Sequence, residues 1–174
     1  TTESVASDGG VLIADGVDFS RFKGNPMVQW DHGMRSEIPV VGRAVDWRYD
    51  TTARAWDFDV EFASDESDLA ARVYRLAKAG FMPAVSVGFQ VTERDDNPPE
   101  EERRKYDLPR WGWIGRKWQL HELSMTVVGA DPAALKRAEK LGDIVSGDAG
   151  MLRHDDTATM RMHARDAVAE LVGT

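Results

Sequence analysis

Met82-Pro-Ala-Val-Ser-Val-Gly-Phe-Gln90 is the stretch on which the reading of this chain turns. Val85, Val87 and Phe89 are strand formers at every second position, so the segment reads as a buried strand. Ser86 places a single hydroxyl in it, and Gly88 lets another backbone or a substrate approach closely. A helical pattern ending at Gly80 precedes it directly. A serine so placed is either a core residue donating to a neighbouring carbonyl or a nucleophile. The second role needs a base, and a group to orient that base, from elsewhere in the chain.

Upstream, the pattern is mostly of strands. Val11–Ala14, Met27–Trp30, Val40–Trp47 and Ala55–Phe62 are short apolar or alternating runs. In the last, Trp56, Phe58, Val60 and Phe62 occupy one face and Asp57, Asp59 and Glu61 the other, the mark of a half-buried antiparallel strand. Asp50-Thr51-Thr52 makes the turn between the third and fourth runs. Phe19 and Phe22 mark a short helical turn. Ser64 or Asp65 caps a helix with Glu66 and Asp68 in its first turn, Leu69, Val73, Leu76 and Ala77 at helical spacing, and Gly80 at its end.

Downstream, the serine strand runs to about Glu93. Asp95–Arg104 is charged and broken by prolines, and reads as a mobile loop. Trp111, Trp113 and Trp118 surround Gly112 and Gly115 in a hairpin-like segment, and Trp118–Val128 is a further strand. Pro132 opens a helix over Ala133–Leu141. Residues 142–156 are a Gly- and Asp-rich linker, and Thr157–Val172 is an amphipathic helical segment. The strands come in runs without alternating helices, which argues against a doubly wound parallel fold. The expectation is an α+β chain, mostly antiparallel β, with six or seven strands and two or three helices. Residues 1–141 form one domain, with residues 1–10 frayed, and residues 142–174 form a linker and C-terminal helical appendage.

Composition narrows the function classes. The 174 residues are 42% hydrophobic and 30% charged, ordinary for a globular protein. No cysteine is present, which excludes disulfides and thiolate chemistry. The net charge of −8 argues against nucleic-acid binding, which needs clustered Lys and Arg. No run is apolar enough to span a membrane, and the polar stretch Thr1–Gly10 has no signal-peptide character. Of the four histidines, His32 lies where a strand meets a loop, while His154 and His163 lie in the polar tail. His121 and Glu122 are adjacent in a strand, so their side chains face opposite sides. No histidine pair has metal-ligand spacing, and neither a metal nor a cofactor is expected. Ala84-Val-Ser-Val-Gly88 lacks the first glycine of the G-x-S-x-G elbow, which opposes an esterase-like hydrolase.

Four segments taken in order resemble the prohead (capsid maturation) protease family of tailed bacteriophages. They are Asn25-Pro-Met-Val-Gln-Trp-Asp-His32, Pro39-Val-Val-Gly-Arg43, Ser86-Val-Gly-Phe89, and the stretch from Glu122-Leu-Ser124 to Asp131-Pro-Ala-Ala134. The resemblance spans about residues 10–136 with order and spacing kept. It departs at Met82-Pro-Ala-Val85 and Val128-Gly129, both near the implied substrate channel. It implies a barrel-like sheet flanked by helices, similar to herpesvirus assemblins. It also implies a serine endopeptidase with Ser86 as nucleophile, His32 as general base and acid, and Glu122 orienting the imidazole. His121 is the alternative third member, since assemblins use a second histidine. The oxyanion donors stay open, near Val87-Gly88 or Gly129-Ala130. The implied substrates are the major capsid protein and the scaffold protein, cleaved inside the assembling procapsid in the host cell cytoplasm. A homo-oligomer and self-cleavage are implied as well, with no nucleic acid or membrane partner. A non-catalytic capsid assembly or scaffolding module on the same fold is the alternative.

Overall fold

The computed structural model describes residues 3–82 and 84–128, together with the strands at 136–137 and 159–164. Its strands are β1 (Gly10–Leu12), β2 (Val17–Asp18), β3 (Met27–Trp30), β4 (Val40–Asp50), β5 (Ala55–Phe62), β6 (Ala84–Asp95), β7 (Trp113–Thr126), β8 (Lys136–Arg137) and β9 (Thr159–Ala164). The helices are α1 (Ser20–Gly24), α2 (Asp68–Lys78) and α3 (Glu100–Lys105), with 3-10 turns at Ala14–Gly16 and Asp31–Gly33. The chain is α+β and dominated by strands, as its alternating patterns imply.

The sheet is mixed: among the described residues most of its pairings are antiparallel, as expected, and three are parallel. Strand β7 is its axis. On one edge it takes β1, β2 and β3 in succession, all parallel to it, with Gly10 opposite Trp113, Val17 opposite Trp118 and Val28 opposite Leu123. The segment from Gly10 to Trp30 therefore acts as one interrupted strand laid along β7. Its interruptions are the Ala14–Gly16 turn and α1, each of which returns the chain in its former direction. On its other edge β7 pairs antiparallel with β6 over most of the length of both. From β3 the sheet continues antiparallel through β4 and β5 to β9 and β8. Nine strands are present among the described residues, against the six or seven expected, and their pairings form an open path that does not close into a barrel.

The core lies on one side of this sheet. Val28, Val41, Val60, Leu120, Leu123 and Met125 are fully buried, with Phe22 from α1 and Val73 and Ala77 from α2 packed against them. Helix α2 presents Ala70, Val73 and Ala77 to the core at helical spacing. It is capped by Ser67, whose side chain accepts from the Ala70 N–H at 3.3 Å. The expected caps, Ser64 and Asp65, lie in the preceding turn, because only Ser67 combines extended backbone with the right offset from the first free N–H. Gly80, at φ 82°, closes the helix end as expected. Phe19, Phe22, Trp47, Trp56 and Phe58 form an aromatic cluster at the same side, with edge-on contacts such as Phe19–Trp56 at 4.7 Å.

Four further expectations need correction. Of the stretch expected to be frayed, the described residues 3–10 are tied to the body. The Glu3 side chain is 5% exposed, pairs with Arg54, and accepts from the Tyr106 hydroxyl at 3.0 Å and the Ala14 N–H at 3.1 Å. Asp95–Arg104 is not a simple loop. Its second half is the start of α3, with Glu100–Glu102 in the first turn and Arg103–Lys105 in the last, both matching the helix dipole. Arg116 of β7 ties it down, bonding Glu102 at 2.5 and 2.7 Å and Asp95 at 2.6 Å. Within the C-terminal segment expected to be helical, Thr159–Ala164 is a strand on the edge of β5. Met160, Met162 and Ala164 alternate with polar residues, so a period of two fits as well as a helical one, and an open strand edge selects it. Lys136–Arg137 is likewise a strand where a helix was expected, paired with β9. The rest of the expected Ala133–Leu141 helix, and the 142–156 linker, lie outside the described residues.

Candidate active site

The pairing of β6 with β7 sets out the site. Ser86 lies opposite Ser124, and Gly88 opposite Glu122. Directly opposed residues of an antiparallel pair share a face, and so do alternate residues along one strand. Ser86, Gly88, Glu122 and Ser124 therefore stand together on one side of the sheet. A register shift leaves His121 as an extra residue between Leu120 and Glu122, so strict alternation does not set its facing, and its Nε2 meets Gln119 Oε1 at 3.2 Å.

His32 reaches the Glu122 side from the end of β3, which lies beside β7 with Gln29 opposite Ser124. The Asp31–Gly33 turn carries three successive left-handed residues, at φ 50°, 55° and 72°. Non-glycine residues take this conformation at a steric cost of about 1–2 kcal/mol each, so Asp31 and His32 need compensating contacts. The carboxylate of Asp31 pairs with Arg35 at 2.6 Å, and its carbonyl accepts from the Met34 N–H at 3.0 Å. The His32 N–H donates to Ser124 Oγ at 3.1 Å.

This turn brings the His32 ring onto Glu122, with Nδ1 at 2.6 Å from Oε1. A carboxylate only accepts, so Nδ1 carries the proton and Nε2 is the basic nitrogen. The second carboxylate oxygen, Oε2, accepts from Ser124 Oγ at 2.6 Å. Glu122 is thus held at both oxygens, one by an imidazole and one by a hydroxyl. Its side chain is 16% exposed and that of His32 33%, so the pair sits at the floor of an open face. Gly88 makes room for it. A Cβ at that position would collide with the Glu122 carboxylate. The sequence marked Gly88 as a point of close approach, and the group that approaches is the Glu122 side chain.

Two serines share this face, and their environments differ. Ser124 is fully buried, with its proton committed to Glu122. Ser86 is half-buried on the outer strand of the pair. Of the two, Ser86 combines access with a place on the face of the sheet that holds Glu122. Ser124 entered the sequence reading only as a motif letter. The sole signal for its role was the spacing Glu122-x-Ser124, which puts both side chains on one face of a strand.

Among the described residues no group of three or more His, Asp or Glu side chains is placed to hold a metal ion. No described helix is long and apolar enough to cross a membrane. Comparison of the chain with known protein families, curated proteins and solved structures finds no match.

Proposed function

We propose that this chain is a serine endopeptidase of the phage prohead protease type, acting through Ser86, His32 and Glu122. The observation that carries the reading is the His32 Nδ1–Glu122 Oε1 contact on the face of the sheet that holds Ser86. A carboxylate on Nδ1 leaves Nε2 free to take a proton and stabilises the imidazolium that results. Glu122 is preferred over His121 because Glu122 bonds His32 while His121 is engaged by Gln119.

In the proposed reaction His32 Nε2 removes the Ser86 Oγ proton as Oγ attacks a peptide carbonyl carbon. The C=O bond opens to an oxyanion. Nε2–H then protonates the amide nitrogen, the C–N bond breaks, and an acyl-Ser86 ester remains. Water attacks the ester by the same path, with Nε2 taking its proton and returning it to Ser86 Oγ. The assemblin-like fold, the capsid and scaffold substrates, the procapsid location, self-association and self-cleavage all belong to this reading. They rest on the sequence resemblance.

Substitution of Ser86 by alanine tests it. Losing a triad nucleophile costs on the order of a millionfold in turnover. The wild type should cleave the capsid and scaffold proteins of its own phage, and a serine-directed phosphonate should label Ser86. The Ser86→Ala protein should do neither while keeping a wild-type circular dichroism spectrum. Retained cleavage in the variant would displace Ser86 as nucleophile. A folded wild type that neither cleaves nor labels would leave the non-catalytic assembly module.

A further inference from the structure

We propose that Ser124 is a positioning residue that sets the His32–Glu122 pair from beneath. This rests on the reading of that pair as base and orienting carboxylate. Ser124 makes two bonds with one hydroxyl. Its Oγ–H donates to Glu122 Oε2 at 2.6 Å, and its lone pair accepts the His32 N–H at 3.1 Å. The first bond fixes the rotation of the carboxylate, so that Oε1 faces the imidazole. The second tethers the backbone of the residue that carries that imidazole, inside a turn whose left-handed conformation resists relaxed placement. One side chain thus ties base and carboxylate together through groups that Glu122 and His32 do not use on each other.

The location suits such a role. Ser124 is 0% exposed and lies in the middle of the sheet, with β3 on one side and β6 on the other. A buried hydroxyl whose donor and acceptor are both satisfied has one low-energy orientation, so its position is transmitted to both partners. It sits opposite Ser86 in the ladder, so any shift of β7 against β6 would displace it, with the pair it holds, relative to the proposed nucleophile.

The test is proton NMR of the full chain with labelled histidine, on wild type, Ser124→Ala and Ser124→Cys. The cysteine keeps the volume of the site and weakens both bonds, so it decides the matter where alanine perturbs the fold. In the wild type the His32 Nδ1–H should give a downfield signal from its short bond to Glu122. In both variants it should move upfield and broaden through exchange with water, while the His121 signals stay in place. Turnover on a cleavable peptide should fall about 10- to 100-fold, in kcat with KM little changed, as for other residues that orient a catalytic group from behind. The loss should shrink in a Glu122→Ala background, since Ser124 acts through that carboxylate. An unmoved His32 signal in the cysteine variant, or losses that simply multiply with Glu122→Ala, would overturn the proposal. A signal that moves as expected in a protein that cleaves nothing would sustain the positioning role and refute the protease reading.

Discussion

At the scale of single residues the site depends on which side chain of β7 meets His32. Glu122 and His121 are neighbours in sequence but have different partners, one bonded to His32 and the other to Gln119. On the proposed mechanism Glu122→Gln should lower kcat by a factor on the order of 10⁴, because an amide cannot stabilise the imidazolium and favours the wrong tautomer. His121→Gln should change it less than threefold. Steady-state kinetics of the two variants checks this, and the reverse ranking would point to a histidine pair. Gly88 offers a second residue-scale probe. An added methyl there would meet Glu122 Oε1 and its side-chain carbons, and must push the carboxylate off the imidazole. Gly88→Ala should therefore cost activity at least tenfold while Tm falls by only a few degrees, since alanine is otherwise tolerated in a strand. A fully active Gly88→Ala protein would mean that the carboxylate has room to retreat without consequence.

At the scale of elements, the β6–β7 pair is closed at its far end by charge. Arg116 on β7 bridges Asp95 at the end of β6 and Glu102 in α3. The hydrogen bonds from Arg116 hold both carboxyl groups below their ordinary range, and the two carboxylates raise Arg116 in turn. A carboxyl group depressed in the folded state adds stability above its unfolded pKa, and loses it as the pH falls through the folded value. Replacing Arg116 by glutamine should thus lower Tm at pH 7. The difference from wild type should narrow as the pH drops below about 4, where the unfolded carboxyl groups are already protonated. Thermal melts of the two proteins from pH 7 to pH 2 read this directly, and a difference that does not vary with pH would assign the effect to lost packing of the arginine stem. The cluster is partly solvated, with Arg116 28% exposed, so added salt should also narrow the gap.

At the scale of the whole molecule, the C-terminal region is joined to the sheet by backbone hydrogen bonds. β9 pairs with β5 from Phe58 to Glu61. Residues 142–156 read from sequence as a Gly- and Asp-rich linker, the kind of segment at which chains are nicked. On the proposed reading a protease stored with its substrates would cut itself there. Denaturing mass spectrometry after prolonged incubation should find a product ending between Gly142 and Thr157 in the wild type and none in Ser86→Ala. Under native conditions the fragment carrying β9 should stay with the body, because its strand completes the β5 edge. Identical intact masses for both proteins at high concentration would refute self-processing at this segment.

Local order was legible in the sequence. The bounds of β3 and β5 follow from their alternation, and α2 follows from its apolar spacing and the glycine that ends it. These depend on backbone period and turn chemistry, which neighbouring residues settle among themselves. The candidate residues His32, Ser86 and Glu122 were legible as types in an order, while the opposite facing expected of His121 and Glu122 rested on a strict alternation that the register shift at His121 interrupts. Only the tertiary structure decided which of those two faces His32, because that depends on the register of β3 against β7 across more than ninety residues of chain. The same holds for the parallel run of β1, β2 and β3 along β7, for the burial of Glu3, and for Thr159–Ala164 as a strand. Each is settled by a partner far away in sequence, and a single edge or an opposed charge there outweighs the weak local preference of a short segment.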